Sequence, residues 1–218
     1  MEDFIYERIN TPVGVKVETV TGGDRYRGKV WRQIAMQIYC ENGKDGYREV
    51  GHFQSGAPFL YDANDRISIS HTEGCLVVAT LPMAENTVLS EFSEKAALGI
   101  DVERIDREKV MSVRERFLNE KELAWLSAES VERNIIAWTL KEAALKAGMD
   151  PSIDFRNDIL IVSMPPVAKT LDMQTNKDNE HLPCLGLVNL RLNGEEHSFP
   201  TRTWRIDNFV VSMVFPMY

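Results

Sequence analysis

Two carboxylates stand two residues apart in "LGIDVERI", residues 98–105, a stretch that otherwise predicts a buried strand. Alternate side chains of an extended chain point to opposite faces, so Asp101 and Glu103 share one face, with Cα atoms about 7 Å apart. Two ionised carboxylates this close repel each other unless a positive group lies between them. The pair is also compatible with the solvated face of an edge strand. The strand pattern alone therefore does not distinguish a cation-binding site from an ordinary solvent-exposed surface.

A second acidic position follows in "WTLKEAALK", where a helix places Glu142 and Lys146 on one face at i, i+4 spacing. Alone, such a pair is typical of a surface ion pair worth about 0.2–0.5 kcal/mol. Together with Asp101 and Glu103, however, Glu142 can complete a carboxylate set for a hard divalent cation that leaves positions open for phosphate oxygens. Lys146 can meet the remaining phosphate charge. No His or Cys accompanies the acids, which favours Mg²⁺, or Mn²⁺, over zinc.

The stretch "SISHT" supplies a third candidate, because Ser70 and His71 lie where a predicted strand enters a turn. A structural role is the alternative. Neighbouring side chains on a strand diverge, so the two residues do not suit a Ser-His hydrolase dyad. We therefore expect them to bind a ligand.

The elements that must position these residues follow from the hydrophobic periodicity. The pattern predicts a helix over 29–39 and a β-hairpin that turns at Glu73–Gly74. A mixed-charge helix is predicted over 113–129, and a second helix, rich in strong helix formers, over 132–149.

The last third is predicted to be rich in strands. An apolar strand is expected over 158–164 and an exposed loop over 171–181. Two hairpins then turn at Asn193–Gly194 and at Asp207–Asn208. The strands "CLVVATL" and "FVVSMVF" resemble each other, as two lobes of similar build would, although buried strands also resemble each other by chance.

The composition bounds the function. A chain of 218 residues can form one large domain or two small lobes, and its net charge of −8 argues against a broad nucleic-acid-binding surface. The N-terminal residues show no signal pattern, and no apolar run approaches the roughly 18 residues of a membrane helix. Three dispersed cysteines predict neither a disulfide framework nor a zinc site, so we expect a cytoplasmic protein.

Five segments in order resemble the 4'-phosphopantetheinyl transferases of the larger, two-lobed kind: "GAPFL", "SISHT", "LGIDVE", "RFLNEKE" and "WTLKEAALK", within about 56–148. The resemblance implies transfer of the phosphopantetheine arm of coenzyme A to a serine of an apo acyl or peptidyl carrier protein, releasing adenosine 3',5'-bisphosphate. It also implies an α+β fold of two similar lobes, with antiparallel sheets and packed helices related by a pseudo-twofold. The lobes would span 1–97 and 98–218, with coenzyme A in the cleft between them, in a monomer.

The resemblance also assigns roles to the acidic residues. It implies that Asp101, Glu103 and Glu142 are the catalytic acids and the Mg²⁺ ligands. Glu142 is in addition the candidate general base for the incoming serine. Glu122 falls on a further motif position of the family.

The remaining motif positions are implied to bind coenzyme A. Ser70 and His71 would contact the nucleotide, with His71 on its 3'-phosphate, and Lys146 would contact the diphosphate. Lys141 falls on another motif position and is also assigned to coenzyme A binding.

One residue departs from the family pattern. Where the family has Gly-Lys-Pro, with the lysine on a coenzyme A phosphate, this chain has Ala57. We therefore expect weaker binding of coenzyme A, unless N-terminal basic residues compensate, with these candidates: Arg25, Arg27, Lys29 and Arg32. The departure also keeps open a catalytically weak homologue that binds coenzyme A and carrier, and the carboxylates alone would also suit a phosphohydrolase.

The carrier of this family is acidic beside its modified serine. The segment 104–116 carries several basic residues among acids and can provide a local docking surface despite the negative total. Neutralising Arg107, Lys109 and Arg114 is expected to slow carrier modification without altering coenzyme A binding.

Overall fold

Two sheets packed on each other form the body of the molecule. The structure is a computed structural model, and it describes residues 3–11, 14–43, 46–61, 63–84, 88, 93–126, 128, 130–164, 167–169 and 186–217. The first half contains β1 (Phe4–Asn10), β2 (Lys16–Gly22), α1 (Gly28–Glu41), β3 (Val50–His52), β4 (Pro58–Leu60), β5 (Asp65–Thr72) and β6 (Cys75–Pro82).

The second half begins with a short 3-10 helix at Glu94–Ala96. Its further elements are β7 (Gly99–Arg104), α2 (Lys109–Phe117), α3 (Glu120–Trp125), α4 (Val131–Gly148), β8 (Ile159–Ser163), β9 (Val167–Lys169), β10 (Gly186–Leu192), β11 (Glu195–Ile206) and β12 (Phe209–Val214).

The first sheet has the strand order β1-β2-β6-β5, and all its neighbours are antiparallel. Helix α1 covers one face and buries Trp31, Ala35 and Tyr39 against β2 and β6. The predicted helix over 29–39 and the hairpin turning at Glu73–Gly74 are both present. Strands β3 and β4 form a separate short hairpin beside β5.

The second sheet has the order β7-β12-β11-β10-β8, with β9 parallel to β11 and the other pairs antiparallel. Helix α4 packs on one face of it. The hairpins predicted at Asn193–Gly194 and Asp207–Asn208 are the turns between β10, β11 and β12. The predicted loop over 171–181 lies outside the described residues.

The two sheets share one apolar core. Val77 and Ala79 of β6 pack with Val211 and Met213 of β12, and Ile100 of β7 joins them. The second sheet is therefore covered by α4 on one face and by the first sheet on the other. The molecule is α+β, as predicted. The similarity of its halves, their pseudo-twofold relation and the division at residue 97 stay predictions.

The helix that carries the second acidic motif has clear ends. Ser130 caps α4, because its hydroxyl accepts a hydrogen bond from the backbone N–H of Arg133 at 3.2 Å. The helix ends at Gly148, and Met149 follows in the left-handed conformation, with a φ of 55°. Within the described ranges, no helix combines the length and apolar character that crossing a membrane requires.

The helix predicted over 113–129 is two helices. Asn119 interrupts the pattern: its side chain accepts a hydrogen bond from Glu122 N, and the Glu122 carboxylate accepts one from Asn119 N. This reciprocal capping box begins α3 and turns the chain after α2.

Candidate active site

Hydroxyl groups join the edge strands of the two sheets. Strand β5 lies beside β7, and serine side chains of β5 accept hydrogen bonds from the backbone of β7. Ser68 Oγ accepts from Ile100 N at 3.0 Å, and Ser70 Oγ accepts from Val102 N at 3.3 Å. These bonds replace part of a strand ladder and fix the first half of the chain against the carboxylate strand.

The same row of hydroxyls reaches both acids of β7. Ser70 Oγ donates to Asp101 Oδ1 at 2.6 Å, and Thr72 Oγ1 donates to Glu103 Oε1 at 3.2 Å. Asp101 and Glu103 are each only 6% exposed, so the alternative of a solvated strand face is wrong. Ser70 is itself buried and holds Asp101, while its expected contact to a nucleotide stays a prediction.

Helix α4 brings Lys146 onto the same carboxylate. Lys146 Nζ donates to Asp101 Oδ1 at 2.7 Å and to the Ile100 carbonyl oxygen at 3.1 Å. The helix can approach this closely because β7 begins with Gly99. A Cβ at Gly99 would lie 1.8 Å from the carbonyl oxygen of Ala143 in α4.

Glu142 lies one turn before Lys146 and is half-buried. Burial raises the pKa of the Glu142 carboxyl, and the negative charge of Asp101 raises it further, while Lys146 acts in the opposite direction. Asp101, Glu142 and Lys146 are thus close enough to share one electrostatic environment. The sequence motifs on β7 and α4 converge on one site.

Glu103 lies at the far end of this site and has its own partners. Its carboxylate accepts a hydrogen bond from Arg104 N at 2.8 Å and forms an ion pair with Arg107. The positive charge needed to offset the repulsion between Asp101 and Glu103 is therefore supplied by side chains of this chain. Lys146 neutralises Asp101, and Arg107 neutralises Glu103.

The residues fit a hard divalent cation, although they do not form a ready metal cage. In the part of the chain that the structure describes, no group of three or more His, Cys, Asp or Glu side chains is arranged to hold a metal ion. The fit comes from the donors: Asp101 and Glu142 offer carboxylate oxygens. Burial, and then the charge of Asp101, raise the pKa of Glu142, and a cation would offset both effects. The predicted ligand set of Asp101, Glu103 and Glu142 stays a proposal.

His71 lies at the exposed end of β5 among positive charges. Partial burial lowers the pKa of His71, and the charges of Arg32 and Lys146 lower it further, against the opposing effect of Asp101. Such surroundings suit an anion. Among the N-terminal basic residues, Arg25 pairs with Asp3 at 3.0 Å, whereas Arg32 is exposed and acts on His71.

A cleft of about 390 Å³ opens beside Lys146. Both halves of the chain contribute to its walls: the β3–β4 turn and β5 on one side, the end of α4 and the residues after it on the other. Ala57 lies in this wall, so the residue that departs from the family pattern faces the cleft. The lining comprises Ser55, Gly56, Ala57, Pro58, Arg66, Ile67, Ser68, Ile69, Leu145, Lys146, Met149, Asp150, Pro151 and Ile153.

A second groove, of about 340 Å³, begins at Glu103. Its floor is aromatic, because Trp138 packs edge-on against Phe117 and Phe155, with ring centroids 5.1 and 5.5 Å apart. Its rim is basic, with these residues: Arg107, Lys109 and Arg116.

A comparison with family models identifies the superfamily of the segment that carries β7 and α4. The model of the 4'-phosphopantetheinyl transferase superfamily matches residues 97–183, which include β7 and α4. Residues 97–183 belong to the 4'-phosphopantetheinyl transferase superfamily. No curated protein matches the chain. The match confirms the superfamily, while the larger, two-lobed subtype stays a prediction.

One site assignment within this superfamily segment needs correction. The Lys141 ammonium is fully enclosed, and it forms an ion pair with Glu122 at 2.8 Å and donates to the Ile159 carbonyl oxygen at 2.7 Å. Burial lowers the pKa of Lys141, while Glu122 raises it. Since no ligand in the cleft can reach this ammonium, Lys141 does not contact coenzyme A here but ties α4 to α3 and β8.

The transferase motifs did not identify every residue that builds the site. Ser68 and Thr72 join β5 to β7, and Arg66 lies before them in the same row. The alternation in "RISISHT" carried this signal, because every second residue from Arg66 to Thr72 is polar. Arg107 was expected at the docking surface and is found on Glu103.

Proposed function

We propose that the protein transfers the 4'-phosphopantetheine arm of coenzyme A to a serine of an apo carrier protein, with Mg²⁺, and releases adenosine 3',5'-bisphosphate. The superfamily match supports phosphopantetheinyl transfer in general. The observation that carries the proposal is the meeting of Glu142, Lys146 and Asp101 beside a cleft walled by both halves.

In the proposed reaction the serine oxygen forms a bond to the phosphorus that bears pantetheine. The bond from that phosphorus to the bridging diphosphate oxygen breaks, and adenosine 3',5'-bisphosphate leaves. Glu142 takes the serine proton, for which its raised pKa suits it, since a base is most effective with a pKa near the working pH. Lys146 faces the cleft and offsets charge on the diphosphate.

Asp101, Glu103 and Glu142 would hold the metal, whose chemistry when bound is to neutralise diphosphate charge and stabilise the leaving oxygen. The chain's own residues orient these ligands. Ser70 holds the Asp101 carboxylate, and Thr72 holds Glu103. Arg32 would supply positive charge for a phosphate of the nucleotide, and His71, whose lowered pKa favours the neutral ring, would donate a hydrogen bond to it.

The deciding experiment is the intact mass of an apo acyl carrier protein after incubation with this protein, coenzyme A and Mg²⁺. We expect a gain of one phosphopantetheine arm, its loss with Asp101→Ala, and its retention with Asp106→Ala. Asp106 is a suitable control because it is an exposed acid that pairs with Arg104 at 2.8 Å. No gain with several carriers would contradict the proposal.

A binding protein without useful turnover is the second candidate. The ion pairs of Lys146 with Asp101 and of Arg107 with Glu103 favour this candidate, because both ion pairs must break before the carboxylates can bind a metal. Ala57 also favours it. Binding of coenzyme A without carrier modification would select this candidate, and hydrolysis of coenzyme A without carrier would select a phosphohydrolase.

A further inference from the structure

A buried arginine lies in the wall of the cleft. Arg66, on β5, is only 2% exposed, yet it lines the same cavity as Lys146 and Ala57. It also takes part in an interaction within the chain. The cleft therefore has two cationic residues in its walls, one from each half of the chain.

Burying the charged guanidinium of Arg66 costs free energy. Taking a guanidinium out of water disfavours its charged form, and burial lowers the pKa of Arg66 to about 10. The group still carries its charge at neutral pH. A buried positive charge beside a cavity gains most from an anion there, because interactions between charges are stronger in a low dielectric.

We propose that Arg66 is a phosphate-binding residue of the cleft, acting with Lys146 on one phosphate group of coenzyme A. The inference rests on the proposed function and deepens it. Arg66 then supplies from β5 the positive charge that Ala57 does not supply from the neighbouring turn. A guanidinium can donate two parallel hydrogen bonds to a phosphate, which suits this role.

The turn that carries Ala57 is shaped to face the cleft. The Phe53 N–H donates to the Ala57 carbonyl oxygen at 2.9 Å, and Gly56 has a φ of 87°, which favours glycine. Ala57 is half-buried at the cavity wall, so a longer side chain at this position can extend into the cleft. A lysine there would serve the same phosphate as Arg66, and the two positions are expected to be coupled.

A double-mutant cycle on coenzyme A binding, measured by calorimetry, tests this coupling. Arg66→Met is expected to weaken binding about tenfold or more, the loss of one charge-assisted hydrogen bond. Ala57→Lys is expected to recover most of this loss in the Arg66→Met background and to add less to the wild type. Arg202→Met is the matched control, since Arg202 is 8% exposed, has a pKa lowered by burial and lies on β11 outside the cleft lining.

Repeating the cycle with 3'-dephospho-coenzyme A identifies the phosphate. An effect of Arg66→Met that persists with this ligand places Arg66 on the diphosphate with Lys146, as expected, and an effect that vanishes would assign Arg66 to the 3'-phosphate and overturn its joint action with Lys146. Equal losses for Arg66→Met and Arg202→Met, or additive effects at positions 57 and 66, would overturn the inference. Coenzyme A binding by the wild type would then still leave the proposed function standing. Failure of the wild type to bind coenzyme A would overturn both.

A measurement on the unmutated protein guards against loss of folding in Arg66→Met. The Nε–H resonance of Arg66 is expected to shift when coenzyme A is titrated, and that of Arg202 is expected to stay in place. An unmoved Arg66 resonance at saturation would contradict direct phosphate binding.

Discussion

Glu142 is the residue at which folding and catalysis favour opposite protonation states. Burial and the charge of Asp101 favour its protonated form in the folded chain. A general base or a metal ligand must be deprotonated at the working pH. The ionised Glu142 carboxylate is therefore less stable in the folded protein than in water, and a bound cation would stabilise it.

This conflict predicts a pH-dependent gain in stability for Glu142→Gln. The pKa of Glu142 is higher in the folded state than its ordinary value of 4.5, so between these two pKa values the folded chain binds more protons than the unfolded chain. The free energy of unfolding therefore falls as the pH rises from 4.5 through the folded-state pKa. Glu142→Gln is expected to raise Tm at pH 7 by about 2–4 °C for each 1 kcal/mol relieved, and to lose this advantage near pH 4. Transfer activity should be lost.

Thermal unfolding at the two pH values, with and without Mg²⁺, measures the effect. Added Mg²⁺ is expected to raise the Tm of the wild type more than that of Glu142→Gln. Glu115→Gln, at an exposed position of α2, serves as the control. An equal Tm gain at pH 4 and pH 7 would show that charge at Glu142 is not the cause.

The sequence predicted the faces on which these residues lie better than it predicted their partners. The i, i+2 acids of β7 and the i, i+4 pair of α4 converge as expected, because each spacing fixes a face within its own element. That Lys146 bonds Asp101, and that Arg107 pairs with Glu103, depends on how separate elements pack. Local spacing contains no such information.

At the scale of elements, the approach of α4 to β7 sets the geometry of the site. Gly99→Ala is expected to destabilise the protein by about 1–3 kcal/mol, because the new Cβ would lie 1.8 Å from backbone oxygen in α4. It should also reduce activity by moving Lys146 away from Asp101. Denaturant unfolding measures the loss. Gly194→Ala, whose Cβ meets no atom within 4 Å but whose φ is 85°, shows the cost of backbone strain without a clash.

The buried ion pair between Glu122 and Lys141 joins three elements. Glu122 also accepts a hydrogen bond from Ile161 N at 2.8 Å, so the pair connects α3, α4 and β8. Lys141→Met is expected to destabilise the protein by about 3–5 kcal/mol, since it leaves a carboxylate buried without its cation.

The double variant Lys141→Met/Glu122→Gln tests this explanation by urea unfolding. Removing both charges is expected to restore part of the stability, because glutamine keeps an acceptor for the Ile161 N–H. A double variant no more stable than Lys141→Met would show that the unpaired charge of Glu122 is not the cause of the loss.

Element types were predictable where one pattern ran without interruption, as in α1, α4 and the hairpins of β5–β6 and β11–β12. The helix predicted over 113–129 was wrong as a single element, although the Asn119–Glu122 spacing of a capping box was visible in the sequence. The burial of both faces of β7 was not predictable, because the strand that covers Asp101 lies about thirty residues earlier.

At the scale of the whole molecule, the two sheets share one core and the cleft is built from both halves. Coenzyme A bound there would contact β5 of the first sheet and the end of α4, so ligand binding and the cohesion of the halves are expected to be linked. The pattern of alternation predicted that each strand has a buried face. The alternation pattern could not predict which sheet packs on which face of the other, because buried strands of similar composition show the same pattern.

At the scale of the molecule, the distribution of charge places the predicted carrier-docking surface at a basic rim on an otherwise acidic chain. The chain carries a net charge of −8, yet the groove beside Glu103 has a basic rim. The structure changes the set of docking residues: Arg114 donates to the Leu126 carbonyl oxygen at 2.7 Å, and Arg107 pairs with Glu103. Lys109 and Arg116 are exposed and stay the candidates for docking an acidic carrier.

Lys109→Gln/Arg116→Gln is therefore expected to raise KM for the carrier and to leave coenzyme A binding unchanged. Two rim charges together are worth about 1–2 kcal/mol, a factor of about 5–30, at low salt, and the difference should shrink as added salt screens it. Lys121→Gln/Arg133→Gln, which removes two exposed cations that do not line the groove, is the matched control. If carrier KM responds equally to both substitutions, the effect is one of net charge and the carrier does not dock on this rim.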